Sequence, residues 1–167
     1  MHRRVSFYMH NDEFYMKLAI AEAEKALEIK EVPVGAVVIC DGRVVGRGYN
    51  LREKEQDPTA HAELIAIRDA ARNLKSWRLD NCDLYVTLEP CPMCAGAIVQ
   101  ARIRRLVFGA YDPKSGATGS LYNIVEDERL NHQLSELKGG VLAEEISQML
   151  KSFFKKLRDS KPIGKGG

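Results

Sequence analysis

Apolar residues recur every three or four positions along residues 11–30, with Met16, Ala19, Ile20, Ala23 and Leu27 on one side and Glu22, Glu24 and Lys25 on the other. This period predicts an amphipathic helix that Asn11 or Asp12 can cap. After Pro33 the pattern changes: residues 35–40 and 43–48 are rich in β-branched side chains and flank Asp41-Gly42, a pairing that signals two strands in a tight hairpin. Residues 51–59 are polar, contain Pro58 and read as a loop. Helical spacing returns over residues 60–73 through Leu64, Ile67 and Ala71, which puts His61 at a helix start.

Residues 84–88 form a short apolar run that Pro90 ends, and Pro92 suits the first turn of a helix running to about residue 101. Cys91 and Cys94 open that helix. A further strand is expected over residues 105–110, followed by a loop, 112–120, in which Pro113, Gly116 and Gly119 prevent regular structure. A weaker extended segment covers 133–137, Gly139-Gly140 interrupts the chain, and 143–158 is a last helix with Ile146, Met149, Leu150, Phe153 and Leu157 along one side. Alternating helices and strands of this kind predict an α/β fold, a three-layer α/β/α sandwich around a central mixed five-stranded sheet. The 167 residues fit one domain, expected over residues 11–159. Residues 1–10 stand before it as an extension, with Met9 a second candidate start, and residues 160–167 form a tail expected to be disordered.

Composition narrows this little: 45% hydrophobic and 29% charged residues are ordinary for a globular chain. No stretch approaches a membrane span and residues 1–10 have no apolar core of a signal peptide, so the expected location is cytoplasmic, with no membrane partner. Twenty-five Lys and Arg against 23 Asp and Glu leave a net charge of only +2, so any nucleic-acid surface must be local. Candidates are the C-terminal basic residues Lys151, Lys155, Lys156, Arg158, Lys161 and Lys165, and the cluster Arg102, Arg104 and Arg105.

The chemistry concentrates in four residues. Two cysteines spaced Cys-x-x-Cys at a helix start direct both sulfurs to one point, and the helix N-terminus favours their thiolates. With His61 they supply the three protein ligands of a catalytic zinc site whose fourth position is left for water. Glu63 lies two residues from His61, and from a first turn both side chains can reach forward beyond the helix end, which gives Glu63 the role of proton carrier without being a ligand. The competing readings are a closed structural zinc site and a redox dithiol. A closed site needs a fourth ligand, whereas Cys40 is expected inside an apolar strand and Cys82 in a turn.

Together, His61-Ala62-Glu63 and Pro90-Cys91-Pro92-Met93-Cys94 form the His-x-Glu and Pro-Cys-x-x-Cys signature of zinc deaminases. Over about residues 14–158 the chain closely resembles the bacterial tRNA adenosine deaminases, including Glu31-Val32-Pro33-Val34-Gly35-Ala36, Phe108-Gly109-Ala110 and Gly116-Ala117-Thr118-Gly119-Ser120. The resemblance implies a cytidine deaminase-like fold, one zinc ion per subunit, a homodimer, and conversion of adenosine to inosine at the wobble position of a tRNA anticodon stem-loop. It further implies that Asn50 hydrogen-bonds the flipped nucleoside, that the Ala62 N–H faces the reacting edge of the purine, that Asp112 contacts the anticodon-loop backbone, and that Phe153 and its basic neighbours meet flanking nucleotides. Deamination of free guanine or of a deoxycytidine nucleotide shares the same zinc elements and stays open as the alternative, as does a non-catalytic zinc-stabilised RNA-binding module. A bifunctional riboflavin-type deaminase would need room for a second domain.

Overall fold

A computed structural model describes residues 11–160. The expected extension 1–10 with Met9, and residues 161–167 with Lys161 and Lys165, lie outside the described residues. The elements run α1 (Asp12–Glu28), β1 (Gly35–Cys40), β2 (Arg43–Tyr49), a single turn α2 (Arg52–Glu55), α3 (Ala62–Leu74), β3 (Cys82–Leu88), α4 (Pro92–Ala101), β4 (Arg105–Ala110), a 3-10 turn (Ile124–Glu126), β5 (Glu136–Lys138) and α5 (Ala143–Asp159).

The sheet is five-stranded and mixed, in the order β2-β1-β3-β4-β5. β1 is antiparallel to β2 and β3, while β3, β4 and β5 run parallel. Asp41 and Gly42 both hold positive φ, 51° and 75°, the backbone that a two-residue hairpin of matching twist demands. Strand side chains alternate between two cores. Ala36, Val38, Leu84, Val86, Leu106 and Phe108 face α3 and α4, and Val37, Ile39, Tyr85 and Val107 face α1 and α5. This is the expected three-layer sandwich.

One contact positions the functional end of the molecule. The buried face of α3 is small, with Ala62, Ala66 and Ala70 one turn apart, and β2 answers with Gly46 and Gly48. A Cβ on Gly48 would stand 2.4 Å from the Ala62 carbonyl oxygen, and one on Gly46 would stand 2.3 Å from that of Ala66, so helix and strand touch backbone to backbone.

Several expectations need correction. Asn11 occupies the cap position of α1 without a side-chain cap bond, and Asp12 is buried against Arg105 instead of capping. The loop 51–59 contains α2, because the Asn50 Oδ1 accepts from the Arg52 N–H and the distant Glu31 carboxylate accepts from the Lys54 N–H at 2.6 Å. Cys82 is not in a turn: it begins β3, is buried, and lies opposite Cys40. β5 starts later than expected, since the Leu134 N–H bonds to Val125 and the Ser135 N–H to Arg104 outside the ladder. The arginine cluster forms no open basic surface: Arg105 is buried in ion pairs with Asp12 and Glu136, Arg104 pairs with Asp83, and Arg102 bonds the Val99 carbonyl. Among the described residues no helix is long and apolar enough to cross a membrane.

Candidate active site

β3 and β4 are parallel neighbours joined through α4, and ligand clefts in such sheets form beyond the strands' carboxyl ends. Cys91 occupies the extended position immediately before α4 (φ −74°, ψ 173°), and Pro92 starts the helix where a missing N–H costs nothing. His61 holds the equivalent extended position before α3 (φ −82°, ψ 150°). The two helix starts face each other. The His61 Nδ1 lies 3.6 Å from the Cys91 Sγ and 3.5 Å from the Cys94 Sγ. All three donor atoms fall within 4.8 Å of one another, the one such group of three metal-ligating residues among the described residues.

The electrostatics of this cluster are those of a charge-holding site. Hydrogen bonding from Cys94 and from His61 brings the Cys91 thiol down to about 4 against the effect of burial. The same sulfur, with the Glu63 charge, raises the His61 imidazole. Cys94 moves the other way, pushed up by its bond to Cys91, by burial and by the Glu63 carboxylate. Two close sulfurs cannot both ionise cheaply without a cation between them. Glu63 is only 4% exposed, and that burial pushes its carboxyl up. A buried acid held above its ordinary range beside a cluster that could hold a metal ion is suited to carrying protons.

A cleft of roughly 250 Å³ opens over the cluster, lined by Asn50, His61, Ala62, Glu63, Cys91 and Asp112 among others. Seven of the eight residues singled out from the sequence therefore meet in one place, with Cys94 buried beneath Cys91. In Asn50, one amide hydrogen goes to the Val32 carbonyl at 3.3 Å and the Oδ1 accepts from Arg52, leaving a hydrogen and a lone pair unspent. Ala62 is the first residue of α3, so its N–H has no carbonyl within the helix to bond. Asp112 spends its carboxylate on its own loop, accepting from the Lys114 and Ser115 N–H groups and, at 2.7 Å, from the Ser115 hydroxyl.

Phe153 is the exception. It is 9% exposed and belongs to the inner stripe of α5, while its neighbour Phe154, 41% exposed, lines the cleft. The same Phe154 continues into an adjoining groove of roughly 680 Å³ with Tyr111, Lys114, Lys151, Leu157 and Arg158. Sequence reasoning also passed over Ser115 and Glu89, which line the cleft. The signal for Glu89 was an acid closing an apolar strand immediately before Pro90-Cys91.

The sheet order, the flanking helices and the paired helix starts match a cytidine deaminase-like fold, and residues 10–158 match the family model of the MafB19-like deaminases. Over 153 residues the chain is 54% identical to the tRNA-specific adenosine deaminase of Bacillus subtilis, covering 92% of this chain and 94% of that one. Identity is also 54% to the Haemophilus influenzae protein of the same name, over 92% of this chain and 89% of that one. A solved structure from work on A-to-I editing by tRNA:A34 deaminases at the wobble position of transfer RNA is 46% identical, with a TM-score of 0.78 over 82% of this chain and 99% of that one. The class is thus a deaminase. Within it, the chain belongs to the family of tRNA-specific adenosine deaminases.

Proposed function

We propose that residues 11–159 form one catalytic domain that hydrolyses adenosine to inosine at the first anticodon position of tRNA, with zinc held by His61, Cys91 and Cys94. The observation that carries this reading is the 3.5–3.6 Å convergence of one imidazole and two sulfurs beside the buried Glu63, in a chain 54% identical to tRNA-specific adenosine deaminases. A set of two thiolates and one imidazole fits zinc and leaves a coordination position open. When bound there, zinc supplies the Lewis acidity that makes water reactive at neutral pH.

The chain's own groups do the rest. Glu63 takes a proton from the attacking water and delivers protons to the purine ring nitrogen and to the amine, which departs as ammonia. Asn50 offers its free amide hydrogen to the nucleoside, and the Ala62 N–H points a helix-terminal dipole at the reacting edge. Asp112, an anion already engaged by Lys114 and Ser115, meets the anticodon loop through a hydrogen-bond donor and not through a phosphate. Phe154 stacks a neighbouring base, and Lys151 and Arg158 in the adjoining groove attract the phosphate backbone.

The assembly we propose is a homodimer working in the cytoplasm. α4 leaves Met93 exposed and Gly96 with open space where a Cβ would stand, and the later loop exposes Leu121 and Tyr122, apolar side chains that a second copy can cover. Sedimentation should give twice the monomer mass. The substrate is tested by incubating the protein with an anticodon stem-loop carrying adenosine at the first anticodon position, and separately with adenosine, guanine and deoxycytidine monophosphate. Inosine is expected from the RNA. Preferential conversion of a free base or nucleotide would sink the assignment.

A further inference from the structure

Glu89 directly follows β3 and immediately precedes Pro90-Cys91, and it is buried, with 2% exposure. Its two carboxylate oxygens accept four hydrogen bonds, all from the loop that follows β4. Oε1 takes the Asp112 N–H at 3.1 Å and the Ser120 hydroxyl; Oε2 takes the Ser120 N–H at 3.0 Å and the Thr118 N–H at 3.3 Å. A carboxylate has about four acceptor sites, so every one is used. Gly116 makes room for it: a Cβ there would stand 2.3 Å from the Glu89 Cδ. Next along the chain, the Pro90 carbonyl accepts from the Ala117 N–H at 2.8 Å.

We propose that Glu89 is a positioning residue, which fixes the loop 112–120 against the start of α4 so that Asp112 and Ser115 stand in register with the metal ligands. The inference rests on reading the cleft as an RNA-deaminating site. Residues 112–120 contain no helix or strand, yet they carry two cleft-lining residues, and nothing periodic in their sequence holds them. The buried charge supplies that hold, because hydrogen bonds to an ionised acceptor are about twice as strong as neutral ones. It also joins the substrate side of the cleft to the metal side, since Glu89 and Cys91 are separated by one residue.

Glu89→Gln tests this directly. An amide has one acceptor oxygen, so at least one pair of loop donors faces an NH2 group. With zinc-loaded protein and the anticodon stem-loop, KM should rise about tenfold or more while kcat stays within about threefold and zinc remains at one per chain. Gly116→Ala keeps the charge but crowds both the Glu89 carboxylate and the Asp112 carbonyl oxygen, so it should shift KM the same way, and Glu89→Gln isolates the part that belongs to the carboxylate. In the wild type, the amides of Asp112, Thr118 and Ser120 should exchange slowly with solvent deuterium, and faster in either variant. An unmoved KM with unmoved exchange overturns the proposal, as does a loss confined to kcat and zinc content. If the wild type deaminates no stem-loop, the substrate reading fails while the exchange measurement still decides the role of Glu89. If neither variant folds, unprotected wild-type amides at 118 and 120 overturn it, and protected ones support it.

Discussion

Arg105 closes on Asp12 with two parallel hydrogen bonds, 2.8 Å from Nη1 and 2.7 Å from Nη2, across 93 residues of chain. The pair ties the first turn of α1 to the first residue of β4, and both side chains are almost wholly buried. The Tyr85 hydroxyl donates to the same carboxylate at 2.7 Å, Lys138 does so at 3.1 Å, and Glu136 takes the Arg105 Nε at 2.6 Å. Burial alone would raise the Asp12 carboxyl, but the Arg105, Tyr85 and Lys138 donors outweigh it and bring it from 3.8 to about 2.

Removing the carboxylate leaves a buried guanidinium short of a partner, so Asp12→Asn should cost about 3 kcal/mol at pH 7 in urea unfolding. The cost should depend on acidity in one direction. Because folding lowers this pKa, the ionised carboxylate contributes its full stability above about pH 4 and loses it as pH falls through 2, a span worth about 2 kcal/mol. Wild type and variant should therefore converge in acid. A gap that is constant from pH 7 to pH 2 would remove Asp12 from the account.

The proposed metal ligands and the proposed proton carrier should separate cleanly under substitution. Cys91→Ala and Cys94→Ala should lose bound metal together with activity, and chelation of the wild type should do the same, reversed by adding zinc. Glu63→Ala should keep metal and RNA binding while deamination falls by roughly 10² to 10⁴-fold. Elemental analysis beside an inosine assay reads both. Full metal content in Cys94→Ala would break the ligand assignment, and inosine formation at the wild-type rate by Glu63→Ala would break the catalytic one.

The part of this site legible in sequence is the part encoded locally. Pro92 marks where α4 begins, the polar loop before Ala62 marks where α3 begins, and those two marks place Cys91 and His61 at helix starts. That the starts face each other follows only from the family pattern, since no local period encodes it. What escaped depends on distant partners: Glu31 reaches 23 residues to build α2, Glu89 organises a loop up to 31 residues away, and Arg105 finds Asp12 across the sheet. The choice between Phe153 and Phe154 turns on one residue of helical phase: the spacing of Ile146, Met149 and Leu150 already puts Phe153 on the inner stripe, and only the family resemblance gave it the RNA role that its exposed neighbour is placed to fill.

These adjacent phenylalanines should behave as opposites. Phe153→Ala empties a core position and should lower stability by about 3 to 5 kcal/mol in urea unfolding. Phe154→Ala should leave stability nearly unchanged and weaken stem-loop binding by about 1 to 3 kcal/mol, the worth of one base stacked on an aromatic ring. Replacing Lys151 and Arg158 together should flatten the salt dependence of affinity, by about 0.7 in the logarithmic slope for each phosphate that is no longer neutralised. The reverse pattern for the phenylalanines would place the RNA on the other side of α5.

The glycines of β2 offer a test of how finely the site is held. In Gly48→Ala the new methyl meets the Ala62 carbonyl oxygen at 2.4 Å and the Ala66 nitrogen at 2.6 Å, both backbone atoms, so the start of α3 must move. His61, Ala62 and Glu63 move with it. Gly46→Ala meets the Ala66 carbonyl at 2.3 Å and Ala70 instead, a turn further from the cleft. Both variants should lower Tm, but a displacement of about 1 Å at reacting groups costs on the order of 10²-fold in rate, so Gly48→Ala should lose far more kcat for the same loss of Tm. Assays well below either Tm, with metal content measured alongside, isolate that difference. Equal losses of kcat would mean that α3 shifts as a rigid rod and that its first turn is not held independently by the Gly48 contact.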